Sequence, residues 1–223
     1  MTRKPLRLLG ALVIVGSLAA ACGSDSKSAD STTTTAEATA SQGADTAASQ
    51  LRSGLTALLQ EHVYLAGITT GEALAGRSID APAAALEANT QALQDAISSL
   101  YGDAGGKQFG DLWRKHIGFF VDYTKGKAAN DSAATAKAVA DLDQYRADFG
   151  AFLESATEGG LTKMAVADEL KPHVATLAAA VDAQAAKDSS QFEKLRTAAG
   201  HMPMTASILA GAIVKQFPDK FEG

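Results

Sequence analysis

Four histidines, His62, His116, His173 and His201, are the residues of this 223-residue chain best suited to chemistry. Neutral imidazole ligates copper, zinc and iron, and thioether sulfur selects copper(I). The run His201-Met202-Pro203-Met204 sets two thioethers beside an imidazole. Glu169 stands four residues before His173, on the same helix face, as a carboxylate ligand or a partner for the ring. The spacing is regular. His62, His116 and His173 lie 54 and 57 residues apart, and each has an apolar residue three positions earlier (Leu59, Trp113, Leu170). Each is followed at once by a β-branched residue (Val63, Ile117, Val174), and sixteen residues later by a serine (Ser78, Ser132, Ser189). A leucine then opens each return: Leu86, Leu142 and Leu195. Three matching copies read as a tandem helical hairpin repeat. If the first helices of the hairpins run parallel, a rise of about 1.5 Å per residue sets each of those imidazoles roughly 24 Å from the serine end. His201, on a returning helix, falls roughly 18 Å from the same end. The four rings are thus expected in one slab of a bundle, where helical proteins build metal and haem sites. The pattern equally suits core histidines copied by a repeat, with Met202 and Met204 filling gaps. No HExxH, no ExxH pair on two helices and no CxxC is present.

The elements that must position these residues are helical from Leu51 onward. Leu51, Leu55, Leu58, Leu59, His62, Ala66, Thr69 and Ala73 recur at spacings of three and four, which makes one helix face. Pro82 suits the first turn of a second helix, capped by Asp80 or Ser78 and carried by Leu86, Asn89, Leu93, Ile97 and Leu100. Gly102 with Gly105-Gly106 should end it. A third helix follows with Phe109, Leu112, Trp113, His116, Phe120 and Tyr123, stopping at Lys125-Gly126. Ser132 can cap a fourth, through Leu142, Tyr145, Phe149 and Phe152, and Thr162 a fifth, through Val166, Leu170, His173 and Leu177. A sixth runs from Ser189-Ser190 to Val214 with a bend at Pro203. The expected fold is all-α: an up-down bundle of about six helices built from three hairpins over residues 51–223. The aromatic strip from Phe109 to Tyr123 reads as core. Asp141, Asp143 and Asp148 read as a solvated face. No nucleophile elbow and no glycine-rich phosphate loop is present, so an enzyme is not the expected reading.

The first 50 residues are different material. Arg3, Lys4 and Arg7 precede a short apolar run, Leu8 to Val15, and Leu18-Ala19-Ala20-Ala21 leads into Cys22, the only cysteine. This order is that of a secretory signal, with an apolar run too short to span a bilayer. Leu18 to Cys22 resembles the lipobox of bacterial lipoproteins. That resemblance implies cleavage after residue 21 and a diacylated (palmitate-type) Cys22 on the extracytoplasmic face of the cell membrane. Residues 22–50, rich in Ser, Thr and Ala, cannot bury enough apolar surface to offset chain entropy and are expected to be a tether. Removing Arg3, Lys4 and Arg7 from the 20 basic residues leaves 17 against 25 acidic ones, a formal charge of −8. Such a balance excludes nucleic acid as an expected partner.

Two stretches carry a second likeness. Leu58 to Ala66, with Glu61-His62-Val63-Tyr64-Leu65, and Leu112 to Thr124, with Trp113-Arg114-Lys115-His116-Ile117-Gly118-Phe119-Phe120, resemble a helical domain of secreted Gram-positive proteins. That domain is encoded at times beside segments of the copper amine oxidase N-terminal type. The resemblance implies a helical domain over most of residues 51–220 and carries over no catalytic residue. The leading expectation is a non-enzymatic, lipid-anchored binding protein for copper or another transition metal, with haem or iron behind copper. Its ligands would be His62, His116, His173 and His201, with Met202, Met204 and Glu169 as auxiliaries. The alternatives are an envelope scaffold that presents helices to a protein partner, with structural histidines, and then a ferritin-like metalloenzyme.

Overall fold

The computed structural model describes residues 45–221; the expected signal peptide, Cys22 and most of the tether lie outside them. Every regular element among the described residues is an α-helix. The first, α1 (Ala47–Leu74), begins four residues ahead of the expected boundary at 51. Thr46 caps it by accepting from the Ser49 amide at 3.2 Å, and Ala47 and Ala48 are strong helix formers. The span Asp80–Ala129 is broken at Gly102, whose φ of 75° and ψ of 172° are not helical. Its two arms, α2 (80–101) and α3 (103–129), fold back on one another. Arg114 Nε donates to Glu87 Oε1 at 3.0 Å, and Arg114 Nη1 to Gln94 Oε1 at 2.9 Å.

One residue therefore makes the reversal that the sequence spreads over Gly102 to Gly106. Gly102 supplies the positive φ that an L side chain resists. Gly106 then sits within α3, where a Cβ would lie 3.0 Å from the Gln94 carbonyl oxygen. The remaining helices are α4 (Ser132–Ala156), α5 (Lys163–Ala185), α6 (Gln191–Gly200), α7 (Met202–Gln216) and a single turn, α8 (Pro218–Phe221). The cap of α4 is Asp131, one residue before the expected Ser132, and its carboxylate accepts from the amides of Ala133 and Ala134 at 3.0 and 2.9 Å. Thr162 caps α5 as expected, accepting from Ala165 at 3.2 Å. The third helix outruns its expected stop at Gly126, because the Gly126 carbonyl is capped by the Asp131 amide at 2.8 Å and Asn130 takes the left-handed turn.

The result is an all-α up-down bundle. Helices α1, α3 and α5 point one way; α2, α4 and the α6–α7 pair point the other. His201 is the joint of that pair, with Pro203 in the first turn of α7. One apolar core runs through all six, with Leu93, Leu142, Leu177 and Val63 at 2% exposure or less. The stretch Gln191–Gln216 is long and apolar enough to cross a membrane by length and composition. Here Ala198, Ala199, Met202, Ala206, Ala210 and Ile213 are buried in the core. At the far end Gln216 ties three helices together, accepting from the Tyr101 hydroxyl at 2.9 Å and donating to the Ala156 carbonyl at 2.8 Å.

Candidate functional site

Parallel α1, α3 and α5 carry His62, His116 and His173 to one layer, and all three are buried, at 1%, 4% and 7% exposure. The Nε2 atoms of His62 and His116 face one another at 3.2 Å. His173 is close enough for its charge to oppose charge on both, and His201 opposes charge on His173. The layer is walled by rings. Trp113 stands 4.9 Å from His62 and 4.6 Å from His116, centroid to centroid, and Tyr145 stacks on His116 at 4.9 Å with 22° between the planes. Asn89 closes the α2 side, its Nδ2 donating to the Leu58 carbonyl at 3.0 Å and to Glu61 Oε2 at 2.7 Å.

Burial decides the protonation of these rings. Desolvation is the largest cause throughout, because a charged ring loses its water. It holds His116 down to about 3, with the opposing charge of His173 second. His173 is held down to about 4, with His201 second. His62 lies well below the usual histidine range, with His116 and His173 both contributing. All three are neutral near pH 7. The Trp113 carbonyl, one turn earlier, favours a proton on His116 without reaching hydrogen-bond geometry. The two neutral rings share one Nε2–H···Nε2 hydrogen bond, which either ring can donate. Nδ1 of all three histidines, Trp113 Nε1 and Asn89 Oδ1 are buried without a hydrogen-bond partner. Such atoms are costly, and their gathering in one layer marks a polar centre inside an apolar core.

The donor set can be tested against a metal. Bonds of about 2.0–2.1 Å separate two ligand nitrogens by about 3.3 Å at a tetrahedral angle and by about 4 Å in a linear pair. The observed 3.2 Å is the length of a direct hydrogen bond, and the rings would have to part for a two-coordinate ion. Among the described residues no group of three or more His, Cys, Asp or Glu side chains is gathered as a metal site. What the fold brings together for coordination is thus a pair, with His173 beside it. The auxiliary candidates have other surroundings. Glu169 accepts from the Thr205 hydroxyl at 3.1 Å, Met202 is packed into the core, and Met204 is 52% exposed. His201 is half-buried, and its charge opposes charge on His173.

Trp113, Tyr145 and Asn89 were not among the sequence candidates. Trp113 stands at the position that Leu59 and Leu170 fill in the other repeats, so its distinct side chain was the available signal. Comparison with protein-family models, with curated proteins and with solved structures found no match for this chain.

Proposed function

We propose that this protein is a lipid-anchored, extracytoplasmic binding protein whose helical bundle holds one transition-metal ion, copper(I) first, between His62 and His116. The observation that carries this reading is the buried Nε2 pair at 3.2 Å. Both imidazoles are neutral and hence ligand-ready, since coordination needs a free lone pair. Burial of charge favours a monovalent ion, because the desolvation cost rises steeply with charge. The anchor at Cys22 rests on the lipobox-like run Leu18 to Cys22.

The test is a titration of protein purified without a histidine tag, with copper(I) and zinc(II) followed by metal analysis. One equivalent of copper(I) is expected, lost in His62→Phe and in His116→Phe and kept in Met204→Ala. Retention of metal by both histidine variants defeats the reading. Labelled palmitate should enter the wild-type chain in a bacterial host and not the Cys22→Ala chain.

One observation favours a second reading. The two Nε2 atoms pair with one another directly, and among the described residues no third His, Cys, Asp or Glu is gathered with them. In that case the pair registers α1 against α3 in a scaffold that presents its helices to an envelope protein, and the titration shows no stoichiometric metal.

A further inference from the structure

A second space adjoins the imidazole layer and is chemically unlike it. Between α1 and α3 lies a chamber of about 140 Å³, lined by Thr69, Thr70, Ala73, Ile79, Val121 and Thr124 among others. Three of the eight lining residues are threonines, yet each hydroxyl donates elsewhere. Thr69 Oγ1 donates to the Leu65 carbonyl at 2.7 Å, Thr124 Oγ1 to the Phe120 carbonyl at 2.7 Å, and Thr70 Oγ1 to Gln184 Oε1 at 2.8 Å. What the threonines have left to offer the chamber is methyl groups and acceptor lone pairs, with no free donor. Lys125, at its edge, is 74% exposed and turns its ammonium toward Asp122 at 3.6 Å. Ala73 and Ala128, also on the lining, are exposed, so the chamber meets the surface there.

Inward, Thr69, Thr70 and Val121 also line a smaller space of about 20 Å³, whose other walls include His62 and His116. The two volumes have different uses. A cavity of about 150 Å³ with apolar walls accommodates a benzene ring, and one of roughly 10–15 Å³ or more accommodates a single water-sized group. A charged ligand would lose hydration in the outer chamber, where the one charged lining residue, Lys125, is turned toward Asp122.

We propose that this compound cavity is a binding site for a small uncharged phenol. Its ring occupies the methyl-lined chamber, and its hydroxyl enters the inner space against the His62–His116 pair. A neutral imidazole serves as donor or acceptor, whereas the threonine hydroxyls, their protons already given, can only accept. The site needs no metal.

The test uses metal-free full chain at pH 7, where phenol itself is neutral. Phenol and benzene are titrated separately, and binding is read from the ¹³C-methyl resonances of Ile79 and Val121. The expected result is saturable one-to-one binding that shifts both residues, with phenol about fivefold tighter than benzene, the worth of one net hydrogen bond. Ala73→Leu and Val121→Phe, which fill the chamber from two sides, should each weaken both ligands at least about tenfold, as overpacking of a filled site does. His116→Phe should bring the phenol-to-benzene ratio to about one, the hydrogen bond being gone. Absence of saturable binding, equal affinity for the two ligands in the wild-type chain, or indifference to both filling substitutions overturns the proposal. Because no metal is added, these outcomes leave the copper titration a separate question.

Discussion

On the side of the imidazole layer toward the start of α1 and α3, Phe109, Trp113, Phe149 and Phe152 pack ring against ring, with centroids 5.1 to 6.5 Å apart. On the other side the same helices carry Thr69, Thr70 and Thr124, and the space between them is only partly filled. A larger groove of about 610 Å³ opens at that end as well, where Gly67 and Gly71 let Leu195 and Gln184 lie against α1. One half of the bundle is an aromatic block; the other is held by small side chains and polar ties. The imidazoles stand on the seam. They are fixed from the packed side and approached from the open one, which is how a site combines preorganisation with access.

Acid should break the seam first and cost most. A histidine whose folded pKa is depressed contributes stability that is complete above its unfolded value of about 6.5 and is lost as pH falls toward the folded one. For His116, near 3, and His173, near 4, the window opens at about 6.5 and closes near 3–4. Lowering the pH from 7 to 5 should remove about 2 kcal/mol for each of the two, and His62 adds in the same direction. Urea unfolding midpoints at the two pH values measure it. His173→Phe should flatten the dependence by its own share, and an unchanged slope would place the loss in other groups.

The aromatic block predicts the next effect. Trp113 touches Phe109, Phe149, His62 and His116 and is 7% exposed, so Trp113→Ala should cost about 3–5 kcal/mol by urea denaturation. It should also release the imidazoles from their fixed faces. A cost below about 1.5 kcal/mol, the range of tolerated core swaps, would mean that the block is not rigid and that the contrast between the halves is wrong.

The hydrogen bond across the seam is a smaller quantity. In a double-mutant cycle of His62→Phe and His116→Phe, the coupling should be about 1 kcal/mol, because the double variant removes the orphaned partner that each single variant leaves. Coupling near zero would show that the two rings lie side by side without sharing a proton.

The contrast also explains which features could be read from the chain. Apolar spacing marked the six helices, since Leu55, Leu59, Leu93, Leu142, Phe149 and Leu177 all bury a face at helical period. The three-copy echo marked His62, His116 and His173 because a repeat with parallel first helices brings equivalent residues to equal depth. Other features depend on neighbours that no spacing reveals. Gly102 reverses the chain alone because Gly106 and Gly110 let α3 close on Gln94, a contact between helices. His62 and His116 pair, while His173 at the same repeat position does not. Trp113 lies against both paired rings, and no spacing in the chain tells which two of the three copies it will bring together. Glu169 shares a helix face with His173, as its spacing says, but its carboxylate accepts from the Thr205 hydroxyl of α7, and Met204 is exposed, and both outcomes depend on neighbours across the bundle.

The open half supplies the smallest and most discriminating test. Tyr123 Oη donates to Asp182 Oδ1 at 2.8 Å, and Lys127 Nζ lies 2.9 Å from the same oxygen. Tyr123→Phe removes one hydroxyl and keeps the ring against Ala138 and Val181. Asp182 is left with Lys127 rather than stranded, so no buried charge loses its last partner. The expected cost in urea unfolding is about 0.5–1 kcal/mol, the net worth of a hydrogen bond whose acceptor remains paired. Asp182→Asn should cost no more, since the amide keeps an acceptor for Tyr123 and the partly exposed ion pair is worth little. If either substitution matched the loss at Trp113, the polar tie would be structural on the same scale as the aromatic block. The two halves would then differ in chemistry alone, and the open side could not give way to admit a ligand.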